Sequence, residues 1–358
     1  MQENNKKFSL GHLPELDALR TFAVLLTMVA HLLPAVGFPL IPYTWYGVEI
    51  FFTISGFLIT TILILSLQKQ AESKLMIIKK FMIRRLLRLF PIYYLFLLLF
   101  WGAKHLLHIA IWQDIFTPYF FSYTPNFLIY QVGFGAVACF SHLWSLGVEE
   151  QFYLFWPWVL LFTPSKYRLK IIIAMVLVSL VAYFLFFKDA RLHVLPFANF
   201  HTLGMGALLA VFYVDQGAVI NWLKDRRQTV FLITLLNLLV VLFFYTEGNP
   251  FLTIYRELSL CISTFSFVLM SIFGWKGWVK FLSTNKAIQY IGTISYGIYL
   301  FHMVIPVIFQ LILGKVAPGL HIPSVPLLII YFGLTFVTAY LSYRFIETPF
   351  LKLKLKFS

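Results

Sequence analysis

Chemistry-bearing side chains first appear inside a stretch built to cross a bilayer. Leu16 to Leu33 is apolar and long enough to span, yet it carries Asp17, Arg20 and His31. A helix turns about 100° per residue, so Asp17, Arg20, Val24, Thr27 and His31 share one stripe, and Arg20 and His31 lie about 16 Å apart along it. Ionisable groups in a membrane are costly unless they face protein or a wet cavity. The stripe therefore predicts a polar site. An imidazole there can move a proton near neutral pH or carry a transient covalent bond. A guanidinium can hold a carboxylate or phosphate through paired hydrogen bonds.

Further candidates recur down the chain. YGVEIFFTISGFLI contains Glu49, HLWSLGVEEQFYLFWP contains Glu149, Glu150 and Tyr153, and GTISYGIYLFH contains Tyr296, Tyr299 and His302. Neighbours on a helix diverge by about 100°, so only one of Glu149 and Glu150 can point at a given site. Glu49 and His302 read equally as interfacial residues. KKFMIRRLLRLFPIYYL places Arg85 and Arg88 at i, i+3 on one face. That pair is either a basic segment that fixes topology and meets anionic headgroups or a phosphate clamp. The small residues in SGF at 55–57 and GMG at 204–206 allow close helix approach. Arg344 and Glu347 in the closing RFIETPF read as a structural ion pair.

The elements that must position these residues follow from composition. The 358-residue chain is 60% hydrophobic and 12% charged, with 40 Phe, far from a soluble domain. An all-α polytopic membrane protein is expected. Apolar runs fall at roughly 16–36, 46–66, 89–109, 143–163, 170–187, 197–213, 229–246, 252–273, 289–313 and 325–345, about ten spans. With the N-terminus inside, 22 of the 28 Lys and Arg lie on the cytoplasmic side, Lys6, Lys7 and Lys356 among them, and four lie outside. This bias places both termini in the cytoplasm. It also explains the +14 net charge without nucleic acid. The two cysteines form no disulfide framework and no metal-ligand spacing. On this topology His31, Glu49, Glu149, Glu150 and His302 reach similar depth toward the outer side, whereas Arg85 and Arg88 mark the inner side.

Together, in order, FFTISGFLI, RRLLRLFPIYYL, HLWSLGVEEQFYLFWP, ISYGIYLFH and RFIETPF, with the first-span Arg and His, resemble the integral-membrane acyltransferases of family 3 over about residues 16–350. The resemblance implies a ten-span core forming one domain over 1–358, with no appended soluble domain. It implies transfer of an acyl group, commonly acetyl, from cytoplasmic acyl-CoA to a hydroxyl of a cell-surface polysaccharide or glycolipid such as lipopolysaccharide. No metal is implied. It carries the essential Arg and His onto Arg20 and His31, the Arg-x-x-Arg pair onto Arg85 and Arg88, and the glutamate segment onto Glu149 and Glu150. His31, Glu149 and Glu150 are then the catalytic candidates. Arg20, Arg85 and Arg88 are the acyl-CoA contacts, and Glu49, Tyr153, Tyr296 and His302, from their placement, the substrate-binding candidates. A bacterial inner membrane, a glycan or glycolipid acceptor, and a homo-oligomer or separate extracytoplasmic partner complete the expectation. The other class of function open to intramembrane His and Glu is proton-coupled transport.

Overall fold

The computed structural model describes residues 11–69, 71–107, 113–215, 217–244 and 248–354. Lys6, Lys7, Lys356 and the ends of two expected spans, 108–109 and 245–246, lie outside them. The long helices are α1 (Pro14–Ala35), α2 (Tyr46–Gln68), α3 (Lys74–Leu107), α4 (Leu143–Phe162), α5 (Ser165–Leu185), α6 (Phe200–Asp215), α7 (Gly217–Phe244) and α8 (Pro250–Phe273). Next come α9 (Lys286–Thr293), α10 (Ser295–Phe301), α11 (Val304–Val316), α12 (Ser324–Ser342) and the short α13 (Thr348–Lys354). No strand occurs among the described residues.

Eight helical segments are long and apolar enough to cross a membrane, and α10 with α11, bent by 49°, makes a ninth. α4, with 20 residues, is about 30 Å long and supplies the tenth. The protein is thus an all-α integral membrane protein of about ten spans. Its surface fits that medium: Leu232, Leu236 and Phe243 on α7 and Val181 and Leu185 on α5 are exposed, where lipid rather than water would meet them.

Two helices depart from the hydropathy reading. α3 begins at Lys74, well before the expected boundary at 89, and its 34 residues extend about 51 Å. Arg85 and Arg88 therefore stand within one continuous helix, not on a segment leading into it. The ninth expected span is broken. α10 ends at Phe301 and the chain bends at His302 and Met303 before α11.

Packing is tightest where glycines let backbones touch. A Cβ on Gly56 would lie 2.1 Å from the Leu203 carbonyl oxygen, and one on Gly206 2.0 Å from that of Thr53. The SGF and GMG segments are therefore the contact between α2 and α6. No larger residue fits either position without parting the helices.

Candidate active site

A partly open pocket lies between α1, α2, α3, α4 and α10. Its lining gathers Arg20 from α1, Arg85 and Arg88 from α3, Glu149 and Tyr153 from α4, and Tyr296 from α10. The inner-side arginines and the α4 glutamate, expected at different depths, share one pocket. Depth was counted from helix ends, and α3 runs about 51 Å, further than the roughly 30 Å hydrocarbon core. Its arginines ride inward to meet Glu149.

The charges in this pocket are unequal. Arg20 pairs with Asp17, one helical turn away, at 3.1 Å, and Asp17 also meets His12. The Glu149 carboxylate is occupied by hydroxyls: it accepts from Tyr153 at 2.5 Å and from Ser55. Arg85 lies over the Tyr153 ring, 4.6 Å from its centroid, an attraction to the negative face of the ring. Neither Arg85 nor Arg88 has an ion-pair partner among the described residues. Arg20 and Arg85 stand close enough to Arg88 to repel it, and Glu347 close enough to attract it. Clustered guanidinium groups with hydrogen-bonding capacity to spare form a receptor for an anion with several negative oxygens.

Of the adjacent glutamates, Glu149 lines the pocket. Glu150 is half-buried and interacts electrostatically with Glu149 and Arg85. Tyr296 donates to the Leu89 carbonyl at 3.3 Å and ties α10 to α3 beside Arg88.

His31 is found in a second constellation, joined to the first. His302 Nε2 is 3.2 Å from His31 Nδ1. His302 Nδ1 is 2.6 Å from the Tyr299 carbonyl, and His31 Nδ1 is 3.0 Å from that of Thr27. A carbonyl oxygen only accepts, so both Nδ1 atoms carry protons. In the neutral rings His302 Nε2 is then bare and shares the single His31 Nδ1–H with the Thr27 carbonyl as a second acceptor. The Nε2 of His31 is left with its lone pair free and with no hydrogen-bond partner among the described residues. That nitrogen can take a proton from a hydroxyl or attack a carbonyl.

The bend at His302 makes this possible. The last carbonyls of a helix lack intrahelical partners; here the Tyr299 carbonyl accepts from His302, and the Leu300 carbonyl accepts from His142 Nε2 at 3.2 Å. The His142 ring meets that of His302 edge-on, centroids 5.0 Å apart. The Tyr299 hydroxyl donates to the His142 carbonyl at 2.9 Å and lies 2.5 Å from Ser145 Oγ. Tyr299 and Ser145 both line the arginine pocket, so they are the seam between it and the histidines.

Sequence reasoning left out His142 and Ser145. The signal was present: His142, Ser145, Glu149 and Tyr153 recur at steps of three and four on α4, one face of a helix. Tyr296, Tyr299 and His302 do the same across α10 and its end.

Glu49 is found elsewhere. Its carboxylate accepts from Thr202 at 2.8 Å, within a buried cluster built by α2, α5, α6 and α8. There Glu257 meets His201 at 3.2 Å and Arg256 at 2.5 Å, and His201 Nδ1 lies 2.9 Å from Ser179 Oγ. The reason is angular: Glu49 is on the face of α2 turned to α6, whereas Ser55 is on the face turned to α4. The expected Arg344 to Glu347 pair does not form either. A π-helical turn over Tyr343–Glu347 swings Glu347 inward to accept from Ser342 at 3.3 Å, while Arg344 stays outside and donates to the Tyr340 hydroxyl at 3.1 Å.

Comparison with known proteins agrees with this architecture. A family model described as an acyltransferase domain matches residues 13–344. The chain is 30% identical to the peptidoglycan O-acetyltransferase OatA of Listeria monocytogenes, over 97% of this chain and 57% of that protein. It is 30% identical to a Staphylococcus aureus protein provisionally named an O-acetyltransferase, over 96% and 58%. It is 29% identical to YrhL of Bacillus subtilis, provisionally named a peptidoglycan O-acetyltransferase, over 94% and 55%. The chain thus spans little more than half the length of these relatives. No solved structure matches.

Proposed function

The chain belongs to the integral-membrane acyltransferases of family 3, and from that premise we propose that it transfers an acetyl group from acetyl-CoA to a hydroxyl of a cell-envelope glycan, peptidoglycan first. The observation that carries this reading is the pocket in which Arg85 and Arg88 have no ion-pair partner among the described residues, linked through Tyr299, Ser145 and His302 to the free Nε2 of His31. Coenzyme A offers a diphosphate and a further phosphate, the multiply charged anion that such a pocket suits. The acceptor class is that of the relatives named as peptidoglycan O-acetyltransferases.

Orientation follows the positive-inside rule. Both termini face the cytoplasm of a bacterial inner membrane, and the arginine end of the site faces the pool of acyl-CoA. Arg20, Arg85 and Arg88 hold its phosphates. The pantetheine arm reaches past Tyr153 and Tyr299 toward His31, a distance of about 16 Å along α1. His31 Nε2 removes the proton of the acceptor hydroxyl as its oxygen bonds to the thioester carbonyl carbon. The carbon–sulfur bond then breaks, and the departing thiolate takes the proton back from His31. Glu149, held by Ser55 and Tyr153, keeps the Tyr153 ring beneath Arg85 and so orders the phosphate-binding side.

The test is acceptor-dependent release of free thiol from acetyl-CoA by the purified chain in lipid nanodiscs, with solubilised peptidoglycan fragments as acceptor. Thiol release coupled to one ester-linked acetyl group on the glycan is expected. Absence of both from folded wild-type protein rejects the reading.

A further inference from the structure

His302 is wholly buried, sits at the only bend between α10 and α11, and spends one ring nitrogen on the Tyr299 carbonyl and the other on His31. Both bonds have a fixed direction. Because His302 Nδ1 donates to a carbonyl, its Nε2 can serve the neutral pair only as acceptor of the His31 Nδ1 proton. In the serine-hydrolase triad a carboxylate occupies this relation to the catalytic imidazole, fixing its tautomer and steadying the imidazolium. A carboxylate at a wholly buried membrane position would be costly; a neutral imidazole makes the same acceptor bond at lower cost. His142 holds the His302 ring edge-on from the other side, its own Nε2 anchored on the Leu300 carbonyl. The titratable groups that face His302 are His31 from α1, His142 from α4 and Tyr299 on its own helix.

We propose that His302 is the positioning residue of the reaction. It accepts the Nδ1 proton of His31, keeps His31 Nε2 bare for the acceptor hydroxyl, and supports the imidazolium that forms when that proton is taken up. The bend at residues 302–303, which Pro306 imposes four residues on, is where this acceptor is presented. The proposal rests on the acetyl-transfer reading and adds a residue to it that acts through His31 without touching substrate.

The experiment compares His302→Leu and His302→Gln in the full chain in nanodiscs, each checked for a monodisperse fold. Leu fills the space and offers no acceptor. Gln offers a carbonyl oxygen to His31 Nδ1 and an amide donor to the Tyr299 carbonyl. With acetyl-CoA and peptidoglycan fragments, His302→Leu is expected to lower kcat about 100-fold, in the range of lost proton-transfer catalysis, with KM for acetyl-CoA changed by no more than about twofold. His302→Gln is expected to recover kcat to within about tenfold of wild type. Wild-type kcat in His302→Leu overturns the proposal, as does a folded His302→Gln no better than Leu, or a loss carried by KM. Nitrogen NMR of the histidine-labelled chain reads the pair without turnover, with His31 assigned through its loss in His31→Gln. A protonated Nδ1 on His31 and a bare Nε2 on His302 support the proposal, and a bare Nδ1 on His31 overturns it. Wild-type protein that releases no thiol refutes acetyl transfer, while the NMR arm still decides the pairing.

Discussion

Two groups of ionisable side chains lie inside this bundle, and they are built on opposite terms. In the cluster of α2, α5, α6 and α8, the charges close on one another: Glu257 on His201 and Arg256, and Glu49 on Thr202. In the pocket of α1, α3, α4 and α10, hydroxyls occupy Glu149 while Arg85 and Arg88 keep their hydrogen-bonding capacity. Both sets are costly in a membrane. The first recovers the cost internally, which is what a structural ion cluster does. The second, on the proposed reading, recovers it from the phosphates of acetyl-CoA. An intramembrane charge is therefore read by whether its partners are already present, more than by its being there.

Mutations can break or sharpen that contrast. The largest effect is expected at the free imidazole: His31→Ala lowers acetyl transfer by about 1,000-fold or more, within the range of acid–base catalysis, as read by thiol release, and leaves thermal stability near wild type. Next is the anion pocket. Arg85→Ala with Arg88→Ala removes charge-assisted bonds worth about 1.5–3 kcal/mol each, so CoA affinity measured by calorimetry should fall at least 100-fold. Because neither arginine loses an ion-pair partner, the melting temperature should hold. The paired cluster should behave inversely. Glu257→Ala removes the carboxylate that His201 meets in a wholly buried site and costs about 3–5 kcal/mol of stability, seen as an earlier thermal transition, while kcat of the remaining folded protein stays within about twofold. The smallest effect is expected at Arg344, which is exposed and bound to Tyr340. Arg344→Ala should change stability by less than about 0.5 kcal/mol and leave turnover unaltered. Unaltered CoA affinity in the double arginine variant would erase the distinction between the two clusters.

Much of this was legible in the residues. Among the described residues hydropathy located the long helices, though not the break in the ninth expected span or the early start of α3, because a run of about 20 apolar residues has few alternatives to a span. The stripe from Asp17 to His31 and the pair Arg85 and Arg88 were visible as periodicity. What periodicity does not carry is the facing partner. Glu49 and His31 count to the same depth, yet Glu49 is turned toward Thr202. Arg88 and Glu149 count to different depths, yet they line one pocket, because α3 is longer than the membrane is thick. The bend at His302 is announced by Pro306 four residues on, whose ring excludes the His302 carbonyl from a continuous helix, but the residues that the bend brings together are not; nor is the π-turn that brings Glu347 to Ser342. His142 was hidden for a simpler reason: it stands at the very start of α4, where a polar residue reads as a loop.

The central claim is acetyl transfer through His31, and cells expressing the chain test it most directly. Ester-linked acetyl is measured by mass spectrometry in the envelope glycans of cells carrying wild type or His31→Ala at matched membrane levels. An acetyl ester on peptidoglycan fragments with wild type and its absence with His31→Ala is the predicted result. Equal acetylation in the two strains, with both proteins folded in the membrane, would contradict the account.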